Sequence, residues 1–422
     1  MKINKKIQTP PFLQKGGTIG ITAPSFGCTT EPYITRFKEA VRHFESLGYK
    51  FKIGDTVYKD DGIGISTDPK IAAKELVDFY CDPQVDIIIS AGGGELMCET
   101  LSHIDFERVK KAPAKWFMGY SDNTNFIFPL VTGYGVKAIY GNNISGFGKP
   151  WEEPELDSLE LLEGKKSSFH GYEMFQAPDK GTEDEEEDPL SPYVLNEKKI
   201  LKVFYPGQGT PRGDCAPQGA GTLLGEGATT QGAATGLAVA ETPSRGEGTD
   251  LLGADASVDA GGGAGCSGLQ ALEGGLESGD SCPDLTFSGC LVGGCLDILS
   301  NIAGTRFDFV DTFNAAHPKV IWVLEACDLN PMDIRRAVWH LKEAGWFKNV
   351  AGFVVGRPLA AWGQNIMGVD QYRAVTDLLG DLNVPIVMDA DVGHISPTIP
   401  LVMGADTTVQ VKKDNIFFTF DL

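Results

Sequence analysis

The chain has 422 residues and a formal net charge of −21. That length is sufficient for two domains with sizeable hydrophobic cores. Nucleic acids and anionic membrane surfaces require a basic protein face, so the acidic balance argues against both as partners. There is no run of about 18 apolar residues and no apolar stretch behind the basic N-terminus, which predicts a cytoplasmic protein without a membrane span or signal peptide.

The nine cysteines and six histidines are scattered along the chain. They form no CxxC pair and no His/Cys spacing typical of a metal site. Cys290 and Cys295 lie in an apolar, glycine-rich stretch, which favours a position in the core. We therefore predict neither a metal nor another cofactor.

Residues 1–150 predict an α/β domain. Apolar runs typical of buried strands alternate with segments of helical periodicity, giving strands over 17–24, 49–53 and 85–90 and helices over 31–47 and 68–80. The second helix begins with Asp68 as a candidate N-cap and Pro69 at the first helical position. This β-α-β-α-β order predicts a parallel sheet covered by helices.

The chain changes character after residue 150. Residues 151–205 predict a linker with an acidic loop, because 183–188 is Glu-Asp-Glu-Glu-Glu-Asp. Residues 206–286 are rich in Gly and Ala and contain no aromatic residue, Met, Ile, Asn or Lys. Such a segment can bury too little apolar surface to offset its ordering entropy, so we predict a disordered or weakly ordered insertion. Most of the missing types have A/T-rich codons, and a GC-rich insertion or a shifted reading frame is one hypothesis for its origin.

Residues 287–422 predict a second α/β domain. We expect strands over 320–324, 350–355 and 384–388, a helix over 333–344 and a terminal β segment over 407–420. The predicted fold class is therefore α/β, with an N-terminal parallel-sheet domain and a C-terminal α/β domain.

Ser121 is the strongest candidate for a catalytic residue. It lies in Gly119-Tyr120-Ser121-Asp122-Asn123, between two apolar runs. A serine at a sharp strand-to-helix turn exposes its hydroxyl above the sheet, as the nucleophilic serines of hydrolases do. The carboxyl edge of such a sheet is where open α/β folds place their sites.

A serine nucleophile needs a base and an orienting acid. His394 is the best candidate base, because it follows a predicted strand and a glycine that leaves it free to point into a cleft. Glu325 is the candidate acid, because a carboxylate at the end of an apolar strand has to be paired or placed at a cleft. A structural role is open for both residues, and for Glu325 it would be a helix cap or a salt bridge with Arg335 or Arg336.

The glycine triplet 92–94 follows a predicted strand and supplies candidate backbone donors. We predict an oxyanion hole formed by the amides of Gly93 and Asp122. Gly94 and Glu95 are the predicted substrate-binding residues. A phosphate-binding loop is the alternative interpretation, but no Lys-Ser/Thr pair follows the glycines.

These motifs, taken in order, resemble those of the LD-carboxypeptidase family of serine peptidases, which includes the microcin C immunity peptidases. The similar segments are 17–25, 86–94, 104–106, 119–124, 288–296, 304–305, 324–325, 393–394 and 400–404. The resemblance covers roughly residues 1–150 and 287–422.

The resemblance implies a triad of Ser121, His394 and Glu325 in a site between two domains. It also implies a homodimer, no metal and a small peptide as substrate. The usual substrate in the family is the L,D bond before the terminal D-alanine of a murein tetrapeptide, which is released during peptidoglycan recycling.

Three other functions are considered. A microcin-type immunity peptidase would cleave a peptide–nucleotide conjugate with the same triad. A binding-only or catalytically impaired homologue would result if residues 206–286 disrupt the pocket. An α/β-hydrolase esterase is disfavoured, because Gly119-x-Ser121-x-Asn123 lacks the second glycine of that motif.

Overall fold

The computed structural model describes residues 7–178, 187–204 and 284–422. Its strands are β1 (Thr18–Thr22), β2 (Lys50–Ile53), β3 (Ile87–Ser90), β4 (Trp116–Gly119), β5 (Ala138–Tyr140), β6 (Ser168–His170), β7 (Met174–Phe175), β8 (Glu197–Lys198), β9 (Lys202–Phe204), β10 (Leu285–Cys295), β11 (Val320–Glu325), β12 (Val350–Gly356), β13 (Asn365–Ile366), β14 (Val369–Asp370), β15 (Ile386–Ala390), β16 (Leu401–Met403), β17 (Asp406–Lys412) and β18 (Asn415–Asp421). Its α-helices are α1 (Tyr33–Ser46), α2 (Pro69–Cys81), α3 (Met97–Leu101), α4 (Phe106–Lys111), α5 (Thr124–Thr132), α6 (Glu153–Leu162), α7 (Leu296–Ile302), α8 (Val310–Ala316), α9 (Pro331–Glu343) and α10 (Gln371–Leu379). Short 3₁₀ helices lie at Asp55–Tyr58, Ser121–Asn123, Ile144–Gly148 and Gly380–Leu382.

The first sheet has the strand order β16-β5-β4-β3-β1-β2. β2, β1, β3, β4 and β5 run parallel to their neighbours, and β16 joins the β5 edge in the antiparallel direction. Every residue of β3 and β4 is buried, as in parallel sheets covered on both faces. The parallel sheet predicted for the N-terminal region is confirmed.

The second sheet has the order β6-β18-β17-β10-β11-β12-β15-β9. Its centre, β10, β11, β12 and β15, is parallel, and the remaining strands are added antiparallel on either side. All six residues of β11 are buried. Since parallel strands end at the same edge, β11 and β15 deliver the residues that follow them to one side of the sheet.

The carboxyl edges of the two sheets meet where β10 ends. A Cβ at Gly294 would lie 2.7 Å from Thr124 Oγ1, so only a glycine permits this approach. The next amide, that of Cys295, donates a hydrogen bond of 3.1 Å to the same hydroxyl. The start of α5, just after Ser121, therefore lies directly against the end of β10.

The boundaries of several elements differ from the predicted ones for local reasons. Asp68 caps α2 as expected, accepting a hydrogen bond from the Lys70 amide at 2.8 Å. α9 begins two residues before the predicted start, because the Asn330 side chain caps it by accepting hydrogen bonds from the first-turn amides. The terminal β segment is a hairpin of β17 and β18, turned by two residues with positive φ, Lys413 and Asp414.

Both sheets draw strands from distant parts of the chain. β6 and β9, which lie within the segment predicted as a linker, join the second sheet, and β16 joins the first. Most of the predicted insertion over 206–286 lies outside the described residues, namely 206–283. Its last residues, Leu285 and Thr286, belong to β10. Residues 183–186 of the acidic run also lie outside the described residues. In the described ranges no helix has the length and apolar character needed to cross a membrane.

Candidate active site

Ser121 occupies a tight turn between β4 and α5. Its φ is +61°, a left-handed conformation that is uncommon for a residue other than glycine. Its amide donates a hydrogen bond of 3.1 Å to Tyr140 Oη at the end of β5. Backbone strain of about 1–3 kcal/mol persists only where surrounding structure holds it, and here it turns the serine out of the sheet edge.

His394 connects the serine to a carboxylate. Its Nε2 lies 2.9 Å from Ser121 Oγ, and its Nδ1 lies 2.9 Å from Glu325 Oε2. An ionised carboxylate can only accept, so Nδ1 carries the hydrogen. In the neutral ring, Nε2 then has its lone pair directed at the Ser121 hydroxyl.

Glu325 ends β11 and is almost completely buried, with 1% of its surface exposed. Its Oε1 accepts a hydrogen bond from Tyr140 Oη, while Oε2 faces His394. A Cβ at Gly393 would lie 2.9 Å from Glu325 Cβ, and the φ of Gly393 is +105°. The glycine before the histidine is therefore required for close approach to Glu325.

The salt bridge considered for Glu325 is wrong. Arg335 pairs with Asp377 on α10 at 2.9 Å, and Arg336 pairs with Asp333 within α9 at 2.5 Å. Both arginines lie on the helix after β11, and the partners of Glu325 are the imidazole and the phenol described above.

The electrostatics of this pair favour opposite charges. Burial alone would lower the pKa of His394, but the Glu325 carboxylate and the neighbouring Cys327 thiol raise that pKa well above 6.5. Burial alone would raise the pKa of Glu325, but His394 and the Tyr140 hydrogen bond bring it below 4.5. Both shifts favour the charged forms, an imidazolium beside a carboxylate, because each charge stabilises the other.

The candidate oxyanion donors lie beside the serine. A Cβ at Gly93 would come within 3.1 Å of Ser121 Cβ, so the glycine loop passes directly against Ser121. The amides of Gly93 and Asp122 donate no hydrogen bond to any acceptor in the described part of the chain. The Asp122 carboxylate is buried and accepts from Ser25 Oγ and the Met97 amide, so it anchors neighbouring loops.

The two predicted substrate-binding residues differ in character. Gly94 has φ +142°, and a Cβ there would lie 3.0 Å from the Phe26 amide nitrogen. Glu95 is exposed, but nearby protein atoms partly desolvate its carboxylate, and this together with Asp328 and other neighbouring carboxylates raises its pKa. The role of both in substrate binding stays a prediction.

Sequence reasoning did not single out Tyr140. It ends β5, a strand of only three residues. The short apolar run before Gly141 is the feature of the sequence that could have predicted this strand. Its hydroxyl donates to Glu325 and accepts from the Ser121 amide, so one side chain joins Glu325 to the turn that carries Ser121.

Two protein-family models match this chain. The model described as the LD-carboxypeptidase N-terminal domain matches residues 19–141, and the one described as the LD-carboxypeptidase C-terminal domain matches residues 288–409. Together these ranges cover more than half of the 422 residues. Ser121 lies in the first range, and Glu325 and His394 lie in the second.

Two relatives share parts of the sequence. The protein named "Putative carboxypeptidase" of Treponema pallidum (strain Nichols) is 32% identical over 139 residues, which are 32% of this chain and 40% of the relative. The microcin C7 self-immunity protein MccF of Escherichia coli is 27% identical over 229 residues, which are 52% of this chain and 64% of the relative. The chain thus spans less than two thirds of the length of either relative.

Solved structures show the same fold. Wild-type MccF without ligand gives a TM-score of 0.65 at 18% identity, with 97% of this chain and 98% of that chain covered. The MccF-like protein of Bacillus anthracis str. Ames gives 0.66 at 18% identity, with 98% and 100% covered.

Proposed function

The chain belongs to the LD-carboxypeptidase family, and from this premise we propose that it is a serine carboxypeptidase that hydrolyses the L,D-peptide bond before a terminal D-alanine. The observation that carries the proposal is the hydrogen-bonded series of Ser121, His394 and Glu325, with both links at 2.9 Å. These contacts support the assignment of Ser121 as nucleophile, His394 as base and Glu325 as orienting acid, because a serine hydrolase requires such contacts among the three.

The proposed reaction starts with attack of Ser121 Oγ on the scissile carbonyl carbon. His394 Nε2 takes the hydroxyl proton, and Glu325 stabilises the resulting imidazolium through Nδ1. The developing oxyanion accepts hydrogen bonds from the amides of Gly93 and Asp122. His394 then donates its proton to the leaving amine, and an acyl ester on Ser121 remains.

Water completes the proposed cycle. His394, neutral again after the amine leaves, removes a proton from a water molecule that attacks the acyl ester. Collapse of the second tetrahedral intermediate returns the proton to Ser121 Oγ and releases the shortened peptide as a carboxylate. The same imidazole therefore serves as base and acid in each half of the reaction.

A second candidate substrate is a peptide–nucleotide or aminoacyl-sulfamoyl conjugate. The match with MccF extends over 52% of this chain, more than the match with the carboxypeptidase relative. Structures of MccF hold glutamyl sulfamoyl guanosine and aspartyl sulfamoyl adenosine. In such a ligand the acyl carbonyl would be the point of attack, and the chemistry at Ser121 would be unchanged.

The choice between these substrates is tested by one comparison. Purified full-length protein would be incubated with a murein tetrapeptide, an aminoacyl-sulfamoyl nucleotide and a simple ester, and products would be quantified by mass spectrometry. We expect release of D-alanine from the tetrapeptide by wild type and none by Ser121→Ala. Cleavage of the sulfamoyl conjugate alone would favour the second substrate, and D-alanine release that survives Ser121→Ala would refute the serine mechanism.

Three further properties of the family complete the proposal. We expect a homodimer, a cytoplasmic location and a role in recycling peptidoglycan peptides. Light scattering at micromolar concentration tests the first of these, and a monomer with full activity would remove it.

A further inference from the structure

Asn143 is a buried polar side chain next to the proposed site that the proposed mechanism does not use. It is 5% exposed and stands at the N-cap position of the 3₁₀ helix Ile144–Gly148. Asparagine is favoured at that position because its side chain can accept a hydrogen bond from a helix amide. Here the side chain makes no such bond, so capping does not explain its orientation.

The orientation of the Asn143 carboxamide follows from its neighbours. Its Oδ1 accepts a hydrogen bond of 3.3 Å from the Tyr120 amide and one of 3.1 Å from Asn123 Nδ2. Asn123 is itself fixed, because its Nδ2 also donates to the Gly92 carbonyl at 2.8 Å. Two donors on one end identify that end as the oxygen, so the other end must be the NH₂ group.

The NH₂ group and the Ser121 hydroxyl border the same space. A Cβ at Gly93 would lie 3.2 Å from Ser121 Oγ and 3.8 Å from Asn143 Nδ2, so both atoms border the space over the Gly93 Cα. Nδ2 donates to no acceptor within residues 7–178, 187–204 and 284–422. Nδ2 is not among the fully buried polar atoms without a partner, so this donor is accessible to a ligand although the residue as a whole is buried.

We propose that Asn143 Nδ2 is a third donor to the oxyanion, beside the amides of Gly93 and Asp122. This inference rests on the proposed function, because it assigns the residue to the acyl transfer at Ser121. The donor is fixed in advance by the hydrogen bonds to Oδ1, so it needs no reorientation when charge develops on the substrate oxygen. Preorganised donors of this kind act on the transition state more than on the bound substrate.

The competing explanation is purely structural. Through Oδ1, Asn143 could serve only to hold Tyr120 and Asn123, and thus the turn at Ser121. Asn143→Asp keeps an acceptor for both donors but replaces the NH₂ group with a charged oxygen, whereas Asn143→Ser is neutral and keeps a small acceptor without the NH₂ group. A purely structural role predicts that the kcat of both variants stays near that of the wild type, and an oxyanion donor predicts that both lose kcat. Asn143→Ala removes both ends.

The test measures kcat and KM of these three variants on the best substrate of the wild type. One lost oxyanion donor lowers kcat by about 10²–10³-fold, and we expect this for all three variants with KM changed by less than about threefold. The matched control is Asn142→Asp, which makes the same chemical change one residue earlier, where Nδ2 faces Gly146. We expect the control to stay within about threefold of wild type, as for a side chain outside the transition-state contacts.

Two outcomes overturn the proposal. Asn143→Asp or Asn143→Ser with the kcat of the wild type would show that only the acceptor end matters. A loss confined to KM would make Asn143 a contact to the ground state, such as the peptide carboxylate.

A second readout keeps this inference separate from the proposed function. An alkyl fluorophosphonate labels an activated serine: the Oγ–P bond forms, the P–F bond breaks, fluoride leaves and the proton passes to His394. We expect wild type to be labelled at Ser121 and both Asn143→Asp and Asn143→Ser to be labelled more slowly. Labelled wild type with an equally fast variant overturns the Asn143 role alone, while wild type that is neither labelled nor active overturns both the role and the serine mechanism.

Discussion

The turn that carries Ser121 and the loop that carries His394 are held by different forces. Ser121 has a strained backbone in a turn that is held by hydrogen bonds, among them the one from its amide to Tyr140 Oη. The His394 loop follows β15 and is anchored by a buried carboxylate, Asp391, three residues before the histidine.

Asp391 lies between two buried cations. Arg357 Nη2 contacts its Oδ1 at 2.6 Å, and Lys199 Nζ contacts its Oδ2 at 2.9 Å. The side chains of all three are at most 3% exposed. Arg357 also donates to the carbonyl of Asp389 at 2.8 Å, which ties the end of β12 to the end of β15.

This difference shows which interactions hold the Ser121 turn and which hold the His394 loop. The turn that carries Ser121 is held by hydrogen bonds to neighbouring strands and loops, whereas the loop that carries His394 is held by the charges of positions 199, 357 and 391. Loss of one partner from a buried ion pair is strongly destabilising, because the other charge stays buried without compensation. We therefore expect mutations in the turn to affect chemistry first, and mutations in the ion network to affect stability first.

The largest effect on activity should come from Ser121 itself. Ser121→Ala and Ser121→Gly should each lower kcat by at least about 10⁴-fold, because the nucleophile is lost. Their stabilities should differ: at φ +61° glycine is not strained, so the Gly variant should exceed the Ala variant by up to about 1 kcal/mol in free energy of unfolding. Urea unfolding of both variants measures this difference.

Ser158 provides the control for that order. It lies inside α6 with ordinary helical geometry, and there Gly should be less stable than Ala by about 1 kcal/mol. The same order of stability at both positions would mean that the turn at Ser121 is not strained.

Asp391→Asn should give the next largest effect. The free energy of unfolding should fall by about 3–5 kcal/mol, because Arg357 and Lys199 lose their shared counter-charge. We expect kcat to fall by about 10–100-fold at a temperature where the variant remains folded, since the His394 loop loses its anchor. Circular dichroism melts and initial rates on the same samples check both values.

A surface aspartate serves as the comparison for Asp391. Asp377 pairs with Arg335 while both side chains are 32% exposed, so Asp377→Asn should cost less than about 1 kcal/mol and leave kcat unchanged. If Asp391→Asn is destabilised but keeps the kcat of the wild type, the ion network supports the fold without positioning the base.

Tyr140→Phe should have a smaller effect that involves both halves of the site. It removes the hydrogen bond to Glu325 and the acceptor for the Ser121 amide, while the ring still fills its place. We expect kcat to fall by about tenfold and the free energy of unfolding by about 2–4 kcal/mol, because one hydrogen bond to a charged group and one to a backbone amide are lost. Tyr134→Phe, at a half-buried tyrosine stacked on Phe106, is the control and should change neither value appreciably.

The sequence allowed much of this site to be predicted, for reasons that differ by residue. Ser121 stood in a motif whose neighbours in the chain are also its neighbours in space. His394 and Glu325 each follow or end an apolar strand, and parallel strands bring such residues to one edge. Tyr140 was missed because β5 has only three residues, and Asn143 because its role depends on which end of a carboxamide its neighbours fix. The contacts of Asp391 with Arg357 and Lys199 could not be predicted from the sequence, because no spacing in the sequence relates positions 199, 357 and 391.

The pH dependence of kcat/KM should give the smallest of the expected effects, and it should depend on His394 and not on Tyr140. His394 acts as a base only when neutral, and its pKa lies well above 6.5. The value of kcat/KM should therefore rise with pH and level off only above that pKa, with a slope near tenfold per pH unit below it. Tyr140 remains a donor throughout, because burial and the Glu325 charge raise its pKa well above 10.

Stability should change in the opposite direction over the same interval. A pKa raised in the folded state means that protonated His394 contributes stability fully below 6.5, and that this contribution is lost as pH rises through the folded-state pKa. His394→Gln should remove both the rise in activity and the fall in stability attributed to this group. An inflection of kcat/KM below 6.5 would mean that Glu325 does not hold the charge on the imidazole. Electrostatic support of the His394 loop would then come from the buried ion network of Lys199, Arg357 and Asp391. The contact between His394 and Glu325 would not be part of that support.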